Sequence, residues 1–270
     1  MQGQCVRDRL WLWGHREGSH NGAAWGLPGE STITPAQACE YMGVPNLIMV
    51  VYGGDPAPPF EPVAKRYDHL DRVVWSIVGD AGSTRNDTNT DLDEVVSLCE
   101  RHPNVVGAIM DDLFFDPKPD GSFARFSADD LSRFRSSLQS TRRPLDLWVV
   151  VYRQNLDQPI LSHLANADIA TFWTWRAEDL TTLADSFARF EAFAPKVRKV
   201  LGCYMWDYGT NTPMPVEHMQ HQCEMGMRWL RTGRIEGIVF LATCICDLGL
   251  DAVEWTREWI ARVGAETLPR

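Results

Sequence analysis

The chain of 270 residues is 44% hydrophobic and 23% charged, an ordinary globular composition that excludes a disordered, collagen-like or coiled-coil protein. Acidic residues outnumber basic ones, 36 to 26, and the formal charge of −10 repels phosphate backbones and anionic lipid surfaces, which argues against nucleic acid and membrane partners. The longest uninterrupted apolar runs, Leu47–Tyr52 among them, are far below the roughly 18 residues a spanning helix needs.

From the N-terminus, MQGQCVRDRL holds no apolar stretch ahead of a small-residue cleavage site, so no secretion signal is read, although a trimmed one would leave the same picture. The run Leu10–Gly14 (LWLWG) is the first strand, and Thr34-Pro35 ahead of AQACEYM starts a helix, Thr as cap and Pro at the first helical position. Strands then follow at Asn46–Gly53, Arg72–Asp80 and Val105–Asp112, with a helix opened by Asp91 before LDEVVSLCERH. Ser127 and Asp130 form a capping-box pattern ahead of LSRFRSSL. The later strands are Asp146–Arg153, Ile169–Trp175, Lys199–Tyr208 and Gly237–Cys244, alternating with helical spacing in Ala177–Phe193, Pro215–Thr232 and Leu250–Val263. Helical signals are weakest after the second and fifth strands. Most of the strand runs are nearly continuous in apolar residues, as strands buried on both faces are.

Eight strand–helix units in this length predict an α/β protein built as a single (β/α)8 TIM barrel over residues 1–270. No G-x-G-x-x-G follows the first strand, which argues against a doubly wound nucleotide-binding sheet. Long irregular segments, among them 15–33, 54–62, 79–90, 114–126 and 209–215, all follow strands, whereas the helix-to-strand connections are short. In a barrel those long loops gather at the C-terminal face of the strands, where the site is expected. Seven cysteines, none in a C-x-x-C pair, read as reduced thiols of a cytoplasmic protein. Cys244-Ile-Cys246 is read as packing.

The strand ends supply the candidate residues. They are His15, Tyr52, Asp80, Asp111 with Asp112, Tyr152 with Arg153, Trp175, and Trp206-Asp207-Tyr208, with Trp25 from the first long loop. The segments Gly107-x-x-Met110-x-Asp112 and Gly202-x-x-Met205-x-Asp207 share one internal spacing, which favours Asp112 over Asp111. Two carboxylates facing each other across a pocket are the minimal equipment for glycoside hydrolysis, one protonating the leaving oxygen and the other attacking or activating water. Trp is abundant, 11 residues against 6 Tyr, and its flat rings suit the apolar C–H faces of sugars. Each acid also has a structural reading, as a helix cap or loop-ordering acceptor.

With acids after the fourth and seventh strands, the chain resembles the large retaining clan of (β/α)8 glycoside hydrolases. The resemblance implies a hydrolase acting on a small-molecule carbohydrate without a cofactor, with Asp112 or Asp111 and Asp207 as catalytic acids. Their positions at strand ends and in the first long loop make His15, Trp25, Tyr52, Asp80, Tyr152, Arg153, Trp175, Trp206 and Tyr208 the expected substrate contacts. That clan carries Asn-Glu after the fourth strand and Glu after the seventh, where this chain has the shorter acids Asp111-Asp112 and Asp207.

Other barrel chemistries lack their residues. Schiff-base chemistry needs a strand-end lysine, and the four lysines are Lys65, Lys118, Lys196 and Lys199. The loops after the last two strands carry no glycine-rich phosphate cradle, and a single His follows the first strand, which disfavours a catalytic zinc. Two alternatives stay open at this point. One is a barrel enzyme using a divalent metal held by oxygen ligands from Asp80, Asp111, Asp112 and Asp207 with His15; the other is a carbohydrate-binding barrel without turnover.

Overall fold

The computed structural model describes residues 4–22 and 25–269. The first three residues of the N-terminal segment, Ala23 and Ala24 of the first long loop, and Arg270 lie outside the described residues. Eight parallel strands close into a barrel: β1 (Leu10–Gly14), β2 (Asn46–Met49), β3 (Arg72–Val78), β4 (Val105–Met110), β5 (Asp146–Tyr152), β6 (Ile169–Trp173), β7 (Arg198–Tyr204) and, after a short hairpin of β8 (Trp206–Asp207) and β9 (Thr212–Pro213), β10 (Gly237–Leu241). The order around the barrel is β1-β10-β7-β6-β5-β4-β3-β2. Every residue of β1, β2, β6 and β10 is buried, the reason these runs read as continuous apolar stretches rather than alternating ones.

All eight expected strands are present; the first ends where its apolar run does, the fifth one residue earlier, and the other six two to four residues earlier. The overrun matters most at the seventh. β7 ends at Tyr204, and Trp206–Asp207 belongs to the hairpin, Trp206 opposite Pro213 and Asp207 opposite Thr212. The sequence shows no break there because the hairpin residues are as apolar and aromatic as the strand before them.

Helices follow the start signals. At α1 (Pro35–Met42), Thr34 Oγ1 accepts the Gln37 amide while Gln37 Oε1 accepts the Thr34 amide, and Gly43 closes the helix at φ +66°, a left-handed cap glycine adopts without strain. Ser127 and Asp130 make the same reciprocal box at α4 (Ala128–Gln139). α3 (Leu92–Arg101) departs from expectation: Asp91 makes no cap, because its carboxylate is taken by Arg85 at 2.8 Å and Asn86 at 3.3 Å. The two weak helical signals correspond to α2 (Glu61–Ala64) and α5 (Leu161–Leu164), four residues each. The run expected over 177–193 is a 3-10 segment, Ala177–Thr182, followed by α6 (Leu183–Phe193). α7 (Val216–Arg231) and α8 (Asp251–Val263) complete the set.

The chain divides into two compact units. The first comprises Met1–Leu47, Trp173–Asp185 and Lys199–Arg270. Within it β1 pairs with β10 and β10 with β7, in parallel, and a Cβ at Gly202 would stand 2.1 Å from the ring of Trp173, so only glycine lets that indole pack. The second unit comprises Ile48–Phe172 and Ser186–Arg198. There β3 pairs with β4 and β4 with β5, Phe172 stacks on Phe190 at 5.0 Å, and a Cβ at Gly107 would meet Trp148 Nε1 at 2.8 Å. The shared Gly-x-x-Met spacing thus has a packing cause in both units, a Trp lying over the glycine. All seven cysteines are free thiols. Among the described residues no helix is long and apolar enough to cross a membrane.

Candidate active site

The acids of the second unit gather where β3 and β4 end. The Asp111 amide donates to Val78 O at 2.8 Å, and its side chain is buried, with Oδ1 accepting the Asp112 amide at 2.8 Å. Asp112 then takes φ +39°, a left-handed conformation that Asp tolerates better than most residues. Its half-buried carboxylate accepts the Ala81 amide on Oδ2 at 2.9 Å and the Tyr152 hydroxyl on Oδ1 at 3.0 Å. Asp80, also half-buried, accepts the Gly53 amide at 2.8 Å and the Ser83 hydroxyl at 2.5 Å, both on Oδ1.

Arg125 ties this turn together. Its guanidinium donates to the carbonyls of Gly79 at 2.7 Å, Asp80 at 3.1 Å and Ser83 at 3.1 Å, and to Asp87 at 2.8 Å. Burial, then the neighbouring charges of Asp112 and Asp80, push the Asp111 carboxyl well above the usual carboxylate range. Burial also raises Asp112, opposed by the hydrogen bonds from Ala81 and Tyr152. A carboxyl raised in this way is shifted in the direction a proton donor needs. Tyr52 is half-buried and exchanges backbone hydrogen bonds with Asp55 at 2.9 and 3.0 Å. Arg153, half-buried, opens the 3-10 turn after β5.

In the first unit the candidates form an aromatic and imidazole nest. Trp25 meets Tyr208 edge-on at 5.3 Å and Trp175 at 6.3 Å, and Tyr204 lies 5.4 Å from Tyr208 and 5.6 Å from Trp175. Trp206 is buried and donates its indole N–H to Trp25 O at 3.0 Å. His15 is buried at the end of β1, its backbone clasped by Thr243, whose hydroxyl accepts the His15 amide at 3.1 Å and donates to His15 O at 3.0 Å. Asp207 is buried and accepts three amides: Ala177 on Oδ2 at 3.1 Å, Gly209 and Thr210 on Oδ1 at 3.0 and 3.2 Å. That is the geometry of a loop-ordering acceptor, tying the 3-10 segment to the hairpin.

Among the described residues one trio of metal-type side chains has its ligand atoms within 4.8 Å of one another, His15, His20 and Cys244. The carboxylates Asp80, Asp111 and Asp112 do not form such a trio. His20 was not among the sequence candidates; the H-x4-H spacing of His15 and His20 was its only trace, because a loop histidine reaches its partner through tertiary folding. Ser83 and Arg125 were missed for the same reason.

No family model and no curated protein matches the sequence. Among solved structures, the chain is similar to a putative α-L-fucosidase from Bacteroides thetaiotaomicron, at 10% identity and a TM-score of 0.63 over 97% of this chain and 98% of that one. It is also similar to active domain 2 of a thermostable chitinase from Pyrococcus furiosus, at 10% identity and a TM-score of 0.57 over 96% and 95%. A glycoside hydrolase family 5 enzyme from Prevotella bryantii gives 12% identity and a TM-score of 0.54 over 97% and 99%. The likeness is one of fold. At such identities it establishes the eight-stranded α/β barrel that these glycoside hydrolases share, and the reaction has to be argued from this chain's own side chains.

Proposed function

We propose that the chain is a glycoside hydrolase in which Asp112 donates the proton to the leaving oxygen and Asp80 serves as its partner carboxylate. The observation that carries this reading is Asp112 itself. It sits in a left-handed turn after β4, half-buried, with its carboxyl raised by burial and oriented by Tyr152 and Ala81. Asp80 displaces Asp207 as the second acid of the proposal, because Asp207 accepts three backbone amides and so ties two loop segments together, whereas Asp80 accepts one amide and one hydroxyl, both on Oδ1. The neighbouring charge of Asp80 also raises the Asp112 carboxyl.

In such a reaction the glycosidic C–O bond breaks and the Asp112 proton goes to the departing oxygen; either Asp80 takes a proton from the water that attacks the anomeric carbon, or Asp80 itself bonds to that carbon and is displaced by water, whose proton returns to Asp112. Asp111, buried behind the pair, holds the Asp112 backbone through its own carboxyl and acts as a positioning residue. The fold neighbours support the reading as glycoside hydrolases of the same barrel type.

The test is turnover of a panel of 4-nitrophenyl glycosides by wild type, Asp112→Asn, Asp80→Asn and the double variant, with and without EDTA. Turnover by wild type, its loss by two orders of magnitude or more in each single variant, and a double variant little worse than either support the pair. Full activity in Asp112→Asn overturns it. Loss of wild-type activity in EDTA moves the case to a metal enzyme, and binding without turnover to a carbohydrate-binding barrel.

A further inference from the structure

Trp13, His15, His20 and Tyr208 form a continuous polar line in the first unit, and its direction is set at one end. An indole N–H donates and never accepts. Trp13 Nε1 lies 3.1 Å from His15 Nε2, so that nitrogen carries the lone pair and the hydrogen of neutral His15 sits on Nδ1. His15 Nδ1 lies 3.1 Å from His20 Nε2; this second nitrogen therefore accepts, and the hydrogen of neutral His20 also sits on Nδ1. That atom is 3.2 Å from the Tyr208 hydroxyl oxygen, which accepts in turn and directs its own O–H away from His20. Burial keeps both rings neutral, lowering His15 well below 6.5 and His20 to about 4.

The same two imidazoles and Cys244 are the trio with metal-type spacing, and the indole decides between the two uses. A metal bound through His15 Nδ1 needs the lone pair there and the hydrogen on Nε2, where it would meet the Trp13 N–H donor to donor. Cys244 is likewise committed: burial pushes its thiol up to about 12, and it accepts the His20 backbone amide.

We propose that Trp13, His15 and His20 are a one-way hydrogen-bond relay that holds Tyr208 as a donor to an acceptor oxygen of a carbohydrate ligand lying against Trp25 and Trp175. The ligand class rests on the glycosidase reading; the relay does not. Trp13, His15 and His20 are positioning residues, and Tyr208 is the contact residue. A neutral polyhydroxylated ring fits because it presents oxygen acceptors beside apolar C–H faces, and Tyr208 lies within ring-contact distance of both indoles, 5.3 Å from Trp25 and 6.3 Å from Trp175.

The experiment is a long-range 1H–15N correlation spectrum of the imidazoles in 15N-histidine protein near pH 7.5, with Trp13→Phe and Tyr208→Phe alongside wild type. The relay requires His15 and His20 of wild type to be Nδ1–H tautomers, against the Nε2–H preference of free imidazole. It also requires His15 of Trp13→Phe to move toward Nε2–H while His15 of Tyr208→Phe stays as it was. Either ring found as Nε2–H in wild type overturns the relay. So does tight Zn2+ binding that shifts both imidazoles and is lost in Cys244→Ala.

In the second arm, wild type and Tyr208→Phe are titrated with a panel of methyl glycopyranosides and followed by tryptophan fluorescence. Loss of one neutral hydrogen bond should weaken binding about three- to tenfold, and equal affinity overturns the Tyr208 contact. If wild type binds no glycoside while the tautomers are as stated, the glycosidase reading and the ligand contact fall together and the relay stands.

Discussion

The Tyr152 hydroxyl donates to Asp112 Oδ1 at 3.0 Å, a bond that favours the charged carboxylate, while burial of the same group favours the protonated one. Tyr152 is thus a brake on how far the Asp112 carboxyl is raised. In Tyr152→Phe the brake is gone and the Asp112 pKa moves further up. If Asp112 gives the proton, kcat/KM falls as pH rises through that value, and the fall should come at higher pH in the variant. A kcat/KM profile from pH 4 to 9 on a turned-over 4-nitrophenyl glycoside checks this; an unmoved alkaline limb removes Asp112 as the acid.

Asp111 carries a stability signature of definite sign. Its folded-state pKa lies well above the ordinary 3.8, raised first by burial and then by Asp112 and Asp80. The contribution is therefore fully favourable below about pH 3.8 and is lost as pH rises through the folded value. Asp111→Asn keeps an Oδ1 able to accept the Asp112 amide and never ionises. Its Tm should exceed that of wild type near pH 7.5, with the gap closing toward pH 4. A gap that is constant with pH, or reversed, would show that the buried group is charged and stabilised in the fold.

The barrel was legible because parallel strands buried on both faces leave unbroken apolar runs, and Thr34 and Ser127 mark helix starts by local chemistry that needs no tertiary knowledge. What the sequence hid was the point at which chain direction changes within an apolar stretch. Trp206 and Asp207 look like the end of β7 and are a separate antiparallel hairpin. Asp91 looks like a helix cap and is taken by Arg85. The side chains that organise the candidate acids, Ser83 and Arg125, and the imidazole that completes the relay, His20, come from loops whose convergence has no periodic signal.

The glycines shared by the two Gly-x-x-Met segments give a packing test. A Cβ on Gly202 would stand 2.1 Å from the Trp173 ring, and neither backbone strand nor indole can yield that much in a filled barrel. Gly202→Ala should cost about 1–3 kcal/mol or more through overpacking, and Trp173→Phe in the same chain should recover part of the loss by shrinking the ring. Urea unfolding of the single and double variants reads this coupling. Additive losses would mean that the glycine serves some need other than room for the indole.

Asp207 separates a structural acid from a chemical one most cleanly. Its two oxygens receive three amides, from Ala177 on one side and from Gly209 and Thr210 on the other. An asparagine supplies one acceptor oxygen and one NH2, so whichever way it turns, a donor faces a donor at the 3-10 segment or at the hairpin. Gly209 offers no slack, since a Cβ there would already stand 2.5 Å from Arg176 Cγ. Asp207→Asn should therefore destabilise by about 1–3 kcal/mol, the range for stranding buried polar groups, seen as a Tm several degrees lower. Turnover per folded molecule should stay within a few-fold of wild type. A catalytic Asp207 behaves in the opposite way: the amide leaves Tm nearly unchanged and removes turnover by orders of magnitude. Thermal melts and kinetics on one preparation, with the folded fraction measured by near-UV circular dichroism, decide between them, and a stable but inactive Asp207→Asn would return this residue to the acid pair in place of Asp80.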